Sequence, residues 1–352
     1  MMRVSFSRRD LYMILGLAAG LVLLFEYGKL TPNRGALLLT LVFWSALAQG
    51  CIALAAAAEL TGARWIASLR RELLCVHPML LLLAVLFFCL GLRLDLYPWS
   101  EKPGLWLNGP FFMGRNLLLL LAVWWTGRRF ARSSAARSQA CRQDAVFYLF
   151  AFVACQSLLA FDLVMSLAYP WMSSLLGAYF FVEALYAGVA LAALLFFLLR
   201  AAEQRRSPAQ FGSYQRDVAR LLFGFSVLWG GLFFAQYLLL WYGNLPEETG
   251  FIVERLRSPG LRNLALLVIF ACFLAPFAGL MARRVKESAA LVALAAVAVL
   301  AGLFGERLFF ILPEAPLHLG VALFQSLVLG MVWLILVHSQ GELLPEETEK
   351  AG

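Results

Sequence analysis

Histidine and paired cysteines are what this chain has least of. Its 352 residues include three histidines, His77, His318 and His338, and six cysteines with no CxxC or CxxCH spacing. The missing CxxCH excludes a covalently attached c-type haem, and the scattered thiols argue against zinc ribbons and disulfide scaffolds. A membrane-embedded b-haem needs two facing histidines at one depth, and only His77 and His338 could supply them. Most of the cysteines fall within apolar runs, where a thiol is a small packing group. Charge is scarce too: Asp, Glu, Lys and Arg make up 14% of the residues, against about 25% in soluble domains. Hydrophobic residues are 62% of the chain and the mean hydropathy is +0.80. The chain therefore reads as an all-α integral membrane protein. Its 29 Lys+Arg against 21 Asp+Glu give a net charge of +8, a balance that in such a chain describes topology and not affinity for nucleic acid.

Apolar runs of about 20 residues, enough for the hydrocarbon core, recur ten times. They are Leu11 to Tyr27, Gly35 to Glu59, Leu73 to Leu92, Pro110 to Trp125, Ala145 to Leu167, Leu176 to Leu199, Val218 to Tyr242, Leu261 to Met281, Ala289 to Leu312 and Leu317 to Val337. Positive residues concentrate in alternate connections: Arg3, Arg8 and Arg9 before the first span, Arg64, Arg70 and Arg71 after the second, and further clusters after the fourth, sixth and eighth. The positive-inside rule then places both termini in the cytoplasm with ten helices between them. Ser7, Arg8 and Arg9 mimic a twin-arginine signal, but no A-x-A site follows, so they read as the inner end of an uncleaved first helix. Residues 1–338 are expected to form one polytopic domain and 339–352 an acidic cytoplasmic tail. The outer connections Arg93 to Asn108 and Gly243 to Gly260 are too short to fold alone but can dock a partner. Trp99, Trp106, Trp171 and Trp241 lie near that surface, where an aromatic belt alone would explain them.

The residues that carry chemistry are charges inside these runs, where a charge is expensive and marks a candidate functional site. Asp162 sits in FDLVMSLAYPWMSSLLGAYFF, Phe161 to Phe181. The inferred helix directions put Arg115, Asp162, Glu183, Glu306 and Arg307 in the outer half, and Glu59 and His77 near the inner surface. Polar residues at intermediate depth are few: Ser45, Gln49, Gln156, Ser226 and Gln236. The pattern suggests an outer-half site and an inner vestibule, not one continuous wire. Arg115 and Asp162 fit a functional pair or a structural ion pair equally. Glu306 and Arg307, near a helix end, fit snorkelling to the interface, and Glu59 and His77 are close enough to the inner surface to be simply hydrated. Glu183 has no sequence-adjacent cation, which favours a functional role.

At Phe161 to Phe181 the chain resembles the NrfD/PsrC-like superfamily of quinone-interacting membrane subunits, and more narrowly the ActF-type membrane subunit of alternative complex III. LWLNGPFFMGRN from Leu105 to Asn116, the stretch from Asp217 to Thr249 that ends in WYGNLPEET, and FLAPFAGLMARRVKES from Phe273 to Ser288 carry the same resemblance. It implies two four-helix bundles side by side, helices two to five (about 35–167) and six to nine (about 176–312), with helices one and ten flanking them. It also implies a quinol-oxidising complex in a bacterial inner membrane. There a multihaem c-type cytochrome, an iron–sulfur subunit and a paralogous membrane subunit are partners, and this subunit binds no haem covalently but can meet quinone and lipid. Arg115 matches the arginine after the PFF motif, Asp162 the acid of FDxxMSL, and Glu247 and Glu248 the PEET pair, with Trp241 opening that segment as a docking candidate. The chain departs where relatives carry an acid and a histidine after MSL, here Ala168 and Pro170, and where they carry histidines, here Arg216 and Cys272. The acid of the ninth helix is displaced to Glu306 beside Arg307. Two functional expectations follow: quinone interaction or proton transfer through the buried charges, and a structural or docking role. A secondary transporter is the alternative from another class.

Overall fold

The computed structural model describes residues 7–28, 35–63, 65–206, 208–339 and 343–344, with 200–206, 208–211 and 247 as backbone alone. Arg3, Arg64 and most of the expected tail lie outside the described residues. Those described form helices and no strand. The first helix, α1 (Arg8–Tyr27), opens on a capping box in which Ser7 Oγ accepts from the Asp10 backbone and Asp10 accepts from the Ser7 backbone at 2.8 Å. The Ser-Arg-Arg-Asp sequence is thus a helix start. After α2 (Ala36–Thr61), which stops at Gly62 in the left-handed conformation, come α3 (Arg70–Leu74) and α4 (His77–Leu90). Asn108 caps α5 (Gly109–Ala135) by accepting from the Phe111 backbone, and α6 (Cys141–Leu159) runs into a π-helical turn over Ala160–Val164.

The second half contains α7 (Leu176–Arg206), α8 (Pro208–Gly243), the short polar α9 (Pro246–Arg257), α10 (Pro259–Ile269), a second π turn (Phe270–Leu274), α11 (Ala275–Met281), α12 (Arg283–Lys286), α13 (Ala289–Ile311) and α14 (Leu319–His338). Among the described residues, nine helices are long and apolar enough to cross a membrane, which makes this a multi-pass membrane protein by length and composition. The tenth predicted span falls on α5, 27 residues long. It is not among the nine because Arg115, Asn116 and two tryptophans dilute its apolar run.

Helices α2, α4, α5 and α6 pack as one ring, and α7, α8, α10–α11 and α13 as another; α1 and α14 pair and lie against α2. The rings meet along α2 and α7. Of the most apolar stretch of α2, 94% is buried, against 28% for the spans containing α8 and α10–α11. At its closest point the central seam is backbone against backbone. A Cβ on Gly50 would lie 1.8 Å from the Ala184 carbonyl oxygen, and one on Gly188 2.5 Å from that of Gly50. In lipid, where apolar burial does not drive helices together, small residues that admit backbone contact do so by packing.

Gly50→Ala and Gly188→Ala are each expected to cost at least the about 1–3 kcal/mol typical of overpacking. Gly224→Ala, which faces open space, is expected to be near neutral. Thermal unfolding in mild detergent checks this, and a wild-type midpoint for Gly50→Ala would show that α2 and α7 separate freely.

Candidate functional site

The π turn Ala160–Val164 interrupts α6 where Asp162 must face α5. A π turn inserts an extra residue and releases carbonyls from the helix ladder. The Ser166 hydroxyl donates to the Asp162 carbonyl at 2.5 Å, and the Tyr97 hydroxyl to that of Leu163 at 3.3 Å. Trp99 Nε1 donates to Ser166 Oγ at 3.1 Å. Tyr97 and Trp99 are buried supports of the turn, so the aromatic-belt reading does not describe Trp99. The Asp162 carboxylate accepts from Arg115 Nε at 2.7 Å, from Arg115 Nη2 at 2.8 Å and from Asn116 Nδ2 at 2.6 Å. Arg115 Nη1 donates to the Trp106 carbonyl at 2.5 Å, and the guanidinium sits 4.3 Å from the Trp106 ring. One cation meets one anion in bidentate geometry, and both carboxylate oxygens are occupied.

The second ring holds the other buried charges. Glu183 Oε2 accepts from Arg307 Nη2 at 2.5 Å, and Oε1 from Trp229 Nε1 at 3.0 Å. Glu306 Oε1 accepts from the Tyr179 hydroxyl at 2.6 Å, and the Arg307 guanidinium lies 3.8 Å from the Phe180 ring. Glu183 is fully buried, Arg307 1% exposed and Glu306 5%, so Glu306 and Arg307 turn into the ring and do not snorkel. Tyr179 and Glu183, four residues apart, share one face of α7; Trp229 comes from α8, and Glu306 and Arg307 from α13. The π turn Phe270–Leu274 borders the cluster with Cys272, whose carbonyl accepts from Tyr186 at 2.9 Å. Gly302 lets α13 close on that thiol, since a Cβ there would lie 2.5 Å from the Cys272 Sγ. Two carboxyl groups thus surround one guanidinium.

The remaining candidates stand apart from both clusters. Glu59 pairs with Arg70, half-buried, and the His77 ring Nδ1 lies 3.2 Å from the Leu74 carbonyl. Ser45, Gln49 and Gln156 do come together, on the α2–α6 seam: Gln156 Nε2 donates to the Ser45 carbonyl at 3.1 Å, and Tyr148 to the Gln49 carbonyl at 2.9 Å. Ser226 bonds within its own helix, and Gln236 accepts from Ser173 at 2.8 Å. Trp241 is exposed, in an aromatic file with Tyr237 and Tyr242 on α8. Glu248 is half-buried in the first turn of α9, and the Glu247 side chain lies outside the described residues.

Arg255 holds α9 in place, donating to the Phe251 carbonyl at 3.0 Å and to Glu314 at 2.8 Å while its guanidinium covers the Phe251 ring. Burial draws the Arg255 pKa below its ordinary value and the Glu314 charge pulls it back up. The other face of the Phe251 ring stacks on Trp171 at 3.8 Å, which removes Trp171 as well from a simple belt.

Sequence reasoning missed four participants. Asn116 directly follows Arg115, and Tyr179 precedes Glu183 by one turn, so both were findable by spacing; Trp229 carries no such signal. Glu26, at the end of the first apolar run, is buried. It accepts from the Leu37 backbone at 3.0 Å and from Gln325 at 3.1 Å, tying α1, α2 and α14 together. Among the described residues, no group of three or more His, Cys, Asp or Glu side chains is placed to hold a metal ion. In comparisons with known proteins, no family model matches the chain, and no curated protein matches it.

Asp162→Asn strands the Arg115 charge in the ring and is expected to cost about 3–5 kcal/mol. Asn116→Ala, which removes one charge-assisted bond, is expected to cost about 1.5–3 kcal/mol. Unfolding midpoints of the two variants check the order. An Asp162→Asn protein as stable as wild type would show that the ion pair contributes nothing to the fold.

Proposed function

We propose that this chain is a membrane subunit of a quinol-oxidising electron-transfer complex of the alternative complex III type, and that its share of the work is proton transfer through the second ring. In this reading α5 is a tenth span, both termini face the cytoplasm, and the membrane is a bacterial inner membrane. Haem and iron–sulfur centres belong to partner subunits docked at the side of Trp241 and α9, and quinol is met at the surface shared with a paralogous membrane subunit. The sequence motifs motivate the complex; the Glu183–Glu306–Arg307 cluster carries the proton role. Two buried carboxyl groups beside one guanidinium are costly to keep charged together, several kcal/mol for an unbalanced ion, whereas a proton carrier requires a buried group that can exist charged and neutral.

The Arg115–Asp162 pair supports a different part of the reading. Filled on both carboxylate oxygens, it holds α5 to α6 beneath the Trp106 ring and leaves no carboxylate oxygen open to a moving proton. A transporter is the second reading, favoured by the two helices interrupted at π turns beside buried polar groups, since interrupted helices often frame substrate sites in transporters.

The test is purification in gentle detergent followed by quinol-driven turnover. Co-purification with c-type haem that quinol reduces is expected. Glu306→Gln and Glu183→Gln are each expected to lower turnover by about 10²-fold, the scale of a lost proton-transfer group, with the complex still assembled. A colourless single chain would overturn the electron-transfer assignment in favour of transport. Full turnover in both variants would overturn the proton role.

A further inference from the structure

We propose that Glu306 carries an exchangeable proton on Oε2 and donates it to Glu183, so that the two carboxyl groups form one proton-loading site in the second ring. The hydrogen bonds around the cluster assign the position. Both Glu183 oxygens already accept, from Arg307 and from Trp229, and Glu306 Oε1 accepts from Tyr179. The remaining oxygen, Glu306 Oε2, is buried and meets no donor among the described residues. The two carboxyl groups are neighbours: Tyr179, one turn before Glu183, holds Glu306, and Arg307, next to Glu306, holds Glu183. Two bare carboxylates so placed repel strongly where the dielectric is low, and sharing one proton relieves it. A proton on Oε2 turns the orphaned acceptor into a donor and leaves one carboxylate opposite one guanidinium. The other groups facing the pair are the neutral donors Tyr179 and Trp229 and the Cys272 thiol. None of them supplies a second positive charge.

The transfer is balanced within the cluster. As the O–H bond on Glu306 breaks, one forms on Glu183, and the negative charge passes to Glu306. Arg307 Nη1, which has no acceptor among the described residues, is the donor left to follow that charge. No electron moves and no co-reactant is consumed. Sharing one proton between coupled carboxyls makes the pair, and not either residue, the titrating unit. This inference deepens the proton-transfer reading and rests on it for its use in turnover, while the protonation itself stands on the geometry.

Infrared difference spectroscopy of the purified protein at neutral pH, in H2O and in D2O, tests it directly. The wild type is expected to show the C=O stretching band of a buried carboxylic acid that shifts on deuteration. Glu306→Gln is expected to lose this band, identified by its frequency, and Glu26→Gln, which alters another buried acid, to leave a band at that frequency unchanged. Absence of the band in the wild type, or its survival in Glu306→Gln, would overturn the proposal. If Glu306→Gln does not fold, Glu183→Gln decides. Glu306 then becomes the only counter-charge of Arg307 and ionises, so the band is lost, whereas an unchanged band would overturn the proposal. Loss of the band in Glu306→Gln with full turnover supports the protonation and sinks the proton-transfer reading instead, so the two fail separately.

Discussion

The backbone contact between α2 and α7 sets the rest of the architecture. At Gly50 and Gly188 the two helices meet backbone to backbone, and Ala184 presents its carbonyl to Gly50. With Ala184 and Gly188 turned toward α2, the helical repeat points Glu183, one residue and about 100° away, toward α8 and α13 instead. Tyr179 follows on the same face. The seam therefore both joins the rings and aims the acid-bearing face of α7 into the second one. It also leaves α8 and α10–α11 at the periphery, where exposed Phe234, Leu266, Leu267 and Phe270 are suited to lipid.

Buried charge is tolerated here through local departures from regular helix. Each ring contains one π turn, and in each a buried tyrosine satisfies a released carbonyl: Tyr97 on Leu163, and Tyr186 on Cys272. A widened turn in hydrocarbon would otherwise leave backbone groups without partners, at a cost of several kcal/mol. In the first ring the turn carries the acid itself, Asp162. In the second it carries Cys272 to the border of a cluster built from other helices. The tyrosines are thus fold-determining residues as much as the charges are.

The all-helical class and the apolarity of nine of the ten expected spans were legible, because a membrane span is a long one-dimensional signal. The pairing of Arg115 with Asp162 was legible as one of two readings, since their depths match. What the sequence could not show is orientation around each helix axis. Glu306 and Arg307 look like an interfacial pair when only their distance from the helix end is counted. Their burial depends on α13 closing against α7 and the second π turn, which Gly302 permits. Trp99 and Trp171 look like belt residues for the same reason, and become buried only once the loops fold back over α6 and α9. Trp229 and Glu26 answer to partners far away in sequence, and no local spacing announces them.

The two charge clusters differ in a single respect that separates their roles. Around Asp162 the count of charges closes, one against one, and both carboxylate oxygens are filled by the donors of Arg115 and Asn116. Such a site is rigid, because moving any member strands a charge. Around Arg307 the count does not close: two carboxyls share one guanidinium, one carboxyl oxygen has no donor and one guanidinium nitrogen has no acceptor among the described residues. Under the protonation proposed above, the proton rests on Glu306, and its passage to Glu183 calls on Arg307 Nη1 to follow the charge. The first ring thus has the chemistry of a clasp, and the second, under the proton-transfer proposal, that of a store.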